Sequence, residues 1–181
     1  MIKGITFPGQ KVPAVAHGAI FERLLDDGKL YGCGVSKSGS TLNVGAGLFV
    51  EAGRLIEIVT AEAISVTGSS GYARIKGMID TSKTSTADSF LQFSWAVDYS
   101  ATVDGFTALT QGTVNQGGAA TYEMELCTVS LSASGINEIV RGFADAEAKR
   151  RGRIKLVSGV DYGTTVPTDI ADDELFFLLE G

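Results

Sequence analysis

Residues 28–67 read GKLYGCGVSKSGSTLNVGAGLFVEAGRLIEIVTAEAISVT. Glycine returns every few positions, at Gly28, Gly32, Gly34, Gly39, Gly45, Gly47 and Gly53. Between the glycines lie short strand-forming runs such as Ser40-Thr41-Leu42-Asn43-Val44 and Leu55-Ile56-Glu57-Ile58-Val59. Glycine supplies the positive φ of tight turns, and β-branched residues fit a pleated sheet. The pattern predicts a meander of short strands with minimal turns, which leaves little room for a catalytic loop.

Outward from that stretch the strand pattern continues. Residues 72–80, YARIKGMID, and 88–98, DSFLQFSWAVD, read as strands. In the second, Leu91, Phe93, Trp95 and Val97 share one face, and Gln92, Ser94 and Ala96 the other, which makes Trp95 a core anchor. Residues 121–131, TYEMELCTVSL, change apolar phase between Leu126 and Cys127. A phase change in mid-strand implies a β-bulge or a strand moving between two packed surfaces. Residues 136–140, INEIV, add a further short strand, and 81–87 and 104–120 are connections. Upstream, Pro8 and Pro13 mark an extended arm, and 14–27, AVAHGAIFERLLDD, is a helix pattern with Ala16, Ile20 and Leu24 on one face. Phe21 and Leu25 lie beside that face, and Gly28 is placed to cap the helix.

These segments give seven or eight strands, one helix and no βαβ alternation. The expected fold class is mainly β: a glycine-rich meander or sandwich-like domain with a short N-terminal helix and a small C-terminal β extension. The expected organisation is an arm and helix at 1–28, a β domain at 29–143, and a linker with the extension at 144–181. Residues 144–153, ADAEAKRRGR, suit either a short helix or a charged linker. Near the C-terminus, Leu175, Phe176, Phe177, Leu178 and Leu179 form an apolar run that requires cover, from the chain's own sheet or from a neighbouring subunit.

The chain has 181 residues, 44% of them hydrophobic, and a net charge of −6. Such a chain can bury a core, and its acidity disfavours nucleic acid as a partner. No apolar run reaches the roughly 20 residues that span a bilayer, and the first residues hold no signal-like apolar core. A soluble protein made in a cytoplasm is the expectation. Cys33 and Cys127 lie far apart and form no C-x-x-C, so two buried free thiols are expected.

Chemical motifs are sparse. Gly45-Ala46-Gly47 resembles part of a dinucleotide loop, but the third glycine position is Val50 and no helix follows. His17 is the only histidine, it falls in the helix pattern, and no nucleophile-elbow motif accompanies it. Asp26-Asp27 and Asp172-Asp173-Glu174 pair acids at element ends, where solvated charge is normal, and no calcium-loop spacing supports the second cluster. Arg150, Arg151 and Arg153 are too few to hold nucleic acid and suit an acidic neighbour. Tyr72, Tyr99 and Phe106 flank loops and could offer an aromatic platform. The sequence is therefore read as no enzyme, with no catalytic, cofactor-binding or metal-binding residues.

Three phrases carry a family resemblance: GCGVS…G…LNVGAGLFVEAGRLIE at 32–57, LTQGTVNQGG leading to YEMELCTVSLSASGINEIV at 122–140, and YGTTVPTDIADDELFFLLEG at 162–181. In them the chain resembles baseplate and tail-fibre-attachment proteins of long-tailed bacteriophages and prophages. The phrases are turn-and-strand patterns, not catalytic signatures. Where that family often ends the second phrase with an Asp-x-Arg-like motif, Val140-Arg141-Gly142-Phe143-Ala144-Asp145 stands here. The absence of a long fibre domain suggests an adaptor or short tail-tip component.

The resemblance implies a structural virion protein of the tail or baseplate, assembled in the host cytoplasm as a symmetric homo-oligomer, a trimer. Such a protein links the tail to host-contacting parts. Its partners would be itself and other tail proteins, through Leu175, Phe176, Phe177, Leu178, Leu179, Arg150, Arg151 and Arg153, with no cofactor and no membrane insertion. The alternatives are a carbohydrate-binding host-recognition module, with a host surface glycan as partner, and a head decoration protein.

Overall fold

A computed structural model describes residues 14–85 and 91–149. Met1–Ala148 forms one compact unit and Lys149–Gly181 a second. The described part of the first unit is mainly β, with one helix, α1 (Ala14–Leu24). Its strands are β1 (Gly28–Gly32), β2 (Val35–Ser38), β3 (Thr41–Val44), β4 (Gly47–Glu51), β5 (Arg54–Ile58), β6 (Glu62–Ser65), β7 (Tyr72–Asp80), β8 (Phe93–Ser100), β9 (Thr121–Ser132) and β10 (Gly135–Arg141). They form three antiparallel sheets, ordered β1-β4-β5, β2-β3-β6 and β10-β9-β7-β8.

The glycine-rich stretch is not the simple meander its spacing suggests. Its six strands interleave between two sheets, β1 pairing with β4 and β3 with β6. The chain leaves the first sheet after Gly32 and returns to it at Gly47, and the two crossings run side by side. The Cys33 amide donates to Ala46 O at 3.0 Å and the Gly45 amide to Gly34 O at 2.8 Å. The backbones are too close there for a side chain: a Cβ on Gly47 would lie 2.4 Å from Cys33 N and from Tyr31 O. The glycines are thus required by crossing as much as by turning.

Phe49 stands at the centre of the core. Its ring meets Phe93 and Phe143 edge-on, both at 5.6 Å between centroids, and stacks near Trp95 at 6.0 Å. Leu42 and Val44 of β3, Ile75 of β7 and Val129 of β9 close around it, all fully buried. Trp95 packs against this cluster but is half-buried, and Leu91 falls before β8 and is 46% exposed. The phase change in β9 is a bulge: the β7 register jumps between Ile75 and Lys76, so that Met124 and Cys127 face the same side across it. Cys33 and Cys127 are both buried free thiols.

Helix α1 docks through a different face from the one its pattern picks out. Ile20 and Leu24 are 48% and 53% exposed, and Gly18 is the buried residue. The cause is the β4–β5 turn, Ala52-Gly53, with φ of 48° and 70°, a tight hairpin turn of the I′ kind. A Cβ on Gly53 would lie 2.1 Å from Gly18 O, so two bare backbones meet and exclude any larger residue from the inward face. Gly28 does not cap the helix; it opens β1, where a Cβ would meet Ala146 N at 2.6 Å. Of the 144–153 segment, residues 144–149 are extended rather than helical, with bridges from Asp145 to Lys29 and from Ala148 to Leu25.

Candidate functional site

Three places gather chemistry-bearing side chains. The first is built on the Ala52-Gly53 turn. Glu51 ends β4 in phase with Phe49, so it points inward, and it is fully buried. Gly77 on β7 makes the room, since a Cβ there would lie 2.4 Å from Glu51 Oε2. Neither carboxyl oxygen has a hydrogen-bond partner. Burial, with the Asp27 and Glu123 carboxylates nearby, pushes the Glu51 carboxyl up to about 9; the Ile79 amide opposes this without hydrogen-bonding geometry.

Around Glu51 the polar groups are tied. Asp27 accepts from the Ala52 amide and from the Tyr122 hydroxyl, both at 2.7 Å. Burial, with Asp27 beside it, raises the Tyr122 phenol above its ordinary value. Asn115 donates to Ala52 O at 2.5 Å and to Glu22 Oε2 at 3.0 Å, and accepts from Arg54 Nε at 2.6 Å. This cluster sews α1, the turn and the 101–120 connection together. It holds a proton on Glu51 at neutral pH, and among the described residues it leaves that carboxyl fully buried.

The second place is a charged ladder on the opposite face of the β7–β9 sheet. Arg74 pairs with Asp98 at 2.8 Å, and Lys76 pairs with Asp98 at 2.9 Å and Glu123 at 2.7 Å. Burial alone would raise both carboxyls, but hydrogen bonds from Arg74 and Lys76 hold Asp98 below its usual range, and those from Lys76 and Thr110 do the same for Glu123. The ladder pins the 101–120 connection: Arg74 also donates to Thr107 O and lies over the Phe106 ring at 4.9 Å, and the Thr110 amide donates to Glu123. Arg74 and Lys76 balance Asp98 and Glu123, with Arg74 Nε left without a partner among the described residues, so the ladder reads as a clamp.

The third place is a shallow groove of about 560 Å³ lined by Ser70, Gly71, Tyr99, Ser100 and Ala101. Tyr99 is 48% exposed, and its hydroxyl is held by the Thr67 amide at 2.8 Å and the Thr67 hydroxyl at 3.0 Å. A smaller cavity of about 310 Å³ lies between α1 and β5, with His17, Phe21, Arg54 and Gln92 in its wall.

The sequence-predicted contact residues Leu175, Phe176, Phe177, Leu178, Leu179, Arg150, Arg151 and Arg153 lie outside the described residues. So do Asp172, Asp173 and Glu174. The three platform aromatics do not come together. Tyr72 lies on the ladder face with Arg74, Phe106 stacks under that arginine, and Tyr99 alone faces an open groove. Glu51 escaped sequence reasoning because EAGR reads as a turn; its phase with Phe49 was the available signal. Among the described residues no group of three His, Cys, Asp or Glu side chains is placed to hold a metal, and no helix is long and apolar enough to cross a membrane. Comparison with known proteins gives no match, neither to a family model nor to a curated protein.

Proposed function

We propose that the chain is a structural subunit of a bacteriophage tail or baseplate, a homo-oligomer with no catalytic role, housed in the virion. The resemblance in the 32–57, 122–140 and 162–181 phrases suggests the setting. One structural observation supports the assembly reading. Strand β8, FSWAVDYS, is the last strand of its sheet, and among the described residues nothing pairs with its outer edge. It carries one charge, Asp98, and no proline, and it keeps Phe93, Trp95 and Val97 only half-buried. Long edges of this kind invite another chain unless they are blunted. In this reading a second copy covers β8, and closed symmetry limits growth.

The test has two arms. Light scattering of the full chain at micromolar concentration should return a multiple of 18.9 kDa, three by the resemblance. Immunogold labelling of particles from the source culture should mark the tail tip. A chain that stays monomeric and labels no particle would overturn the proposal.

A further inference from the structure

We propose that the Tyr99 groove is a saccharide-binding site that stacks one pyranose ring on the exposed face of Tyr99. The inference goes beyond the assembly reading and stands without it.

The groove is made by the chain around it. Gly68 and Gly71, with φ of 135° and 79°, bend the segment after Val66 past the end of β8. Gly71 lines the groove without a side chain, and Gly68 packs beside Tyr99. A Cβ on Gly71 would lie 2.6 Å from Ser100 O, and one on Gly68 would lie 2.9 Å from a Leu131 methyl and 3.6 Å from the Tyr99 ring. The Gly71 carbonyl is fixed in turn by the Leu131 amide at 2.9 Å. The wall at Gly71 is therefore backbone held in place.

Tyr99 continues the inward stripe of Phe93, Trp95 and Val97, yet at the end of the strand its ring emerges into solvent. An exposed tyrosine would normally swing. Here two contacts from Thr67 hold the hydroxyl, so the half-exposed ring is fixed beside the groove. A ligand that meets a fixed ring gives up little side-chain freedom. The face of an aromatic ring is electron-rich and takes weakly positive C–H groups. A pyranose presents such a set of C–H groups on one face and hydroxyls around its rim.

The remaining lining suits that rim. Ser70 and Ser100 are part of the lining, the Ser100 hydroxyl accepting from the Thr102 amide at 3.2 Å, and no charged side chain lines the groove. A charged ligand would find no counter-charge there. The shallow groove, about 560 Å³, is large enough for a single sugar unit.

Saturation-transfer difference NMR on the full chain tests this, with methyl α-D-glucopyranoside, methyl β-D-galactopyranoside, N-acetylglucosamine and L-rhamnose as separate probes at millimolar concentration. At least one should show transfer concentrated on its ring C–H protons. Tyr99→Ala should abolish that signal, and Ala101→Arg, which lays a long side chain across the groove away from the Thr67 tether, should abolish it with an unchanged melting temperature. Tyr99→Phe keeps the ring but frees it from Thr67, and should weaken the signal without abolishing it. Should Tyr99→Ala fail to fold, Ala101→Arg decides. Transfer to none of the four sugars, or transfer that survives Ala101→Arg, would overturn the proposal. So would complete loss of transfer in a folded Tyr99→Phe, which still presents the stacking ring. Light scattering on the same samples reports the assembly state separately.

Discussion

A carboxyl group closed off from solvent and without a hydrogen-bond partner can stay in a core only as the neutral acid, and Glu51 is in that position. Its pKa of about 9 in the folded chain exceeds the 4.5 of a free glutamate, so the folded state holds the proton more tightly. The stability this gives is fully present below pH 4.5 and is lost as pH rises toward 9, by about 1.4 kcal/mol per pH unit across that window. Asp98 and Glu123 work in the other sense: both are held below their ordinary values, so their contribution is present above that range and lost on acidification through the folded values. Urea midpoints measured from pH 5 to 9 should therefore fall steadily in the wild type. In Glu51→Gln they should stay nearly flat, and the unfolding free energy at pH 8 should exceed the wild type's by roughly 3 kcal/mol or more. A flat wild-type profile would mean that the Glu51 carboxylate finds compensation in the fold. This residue shows where sequence reading stops. The β4 pattern places Glu51 inward beside Phe49, but only the missing side chain at Gly77, brought in from β7, makes a cavity for an acid. The opposite holds for Cys127, whose buried thiol, pushed up to about 12 by burial, is legible from its apolar strand neighbours.

At the scale of elements, close backbone approach organises the molecule. Helix α1 meets the Ala52-Gly53 turn with no side chain between them, and Gly53 also holds a positive φ. Gly53→Ala should add about 1–2 kcal/mol of backbone strain and drive the helix away from the turn. Limited proteolysis should then cut within α1 at protease levels that spare the wild type, while the β7–β9 amides keep their exchange protection. The charged ladder fixes the other side. Among the described residues Lys76 alone bridges Asp98 and Glu123, and its side chain is 11% exposed. Lys76→Met should cost about 3 kcal/mol, because two largely buried carboxylates lose a partner, and the Thr110 amide should exchange faster. Strand identity was legible wherever alternation ran unbroken: β7 spans the residues its pattern predicts, and the β9 bulge sits at the phase change. Strand pairing in 28–67 was not. Turn glycines and crossing glycines look alike in sequence, and only the three-dimensional meeting of Gly32 with Gly47 distinguishes a meander from two interleaved sheets. The helix face misled for a related reason, since Gly18 packs inward because it lacks a side chain.

For the whole molecule the open question is what covers β8. In an antiparallel sheet every second amide of an edge strand points away from its neighbour. On β8 those amides have no described partner, whereas those facing β7 are paired from Phe93 to Ser100. A monomer would therefore show alternating exchange along β8, fast and slow. If a second copy adds its strand there, both sets become slow, and the effect depends on protein concentration. Trp95 gives an independent signal. It is half-buried, 4.8 Å from the Phe93 ring and 6.0 Å from Phe49, so covering β8 should shift its emission to the blue and reduce iodide quenching. It also changes the expectation for truncation. Trp95→Ala removes a half-buried ring and should cost the dilute chain about 3 kcal/mol, the low end for a large aromatic, but should abolish association. The decisive measurement is hydrogen exchange over β8 at two concentrations a hundredfold apart, with light scattering alongside. Uniform protection that returns to alternation on dilution supports an assembly built on this edge. Alternation at both concentrations in a chain that scatters as an oligomer would move the interface away from β8, and the same pattern in a monomer would remove the assembly reading.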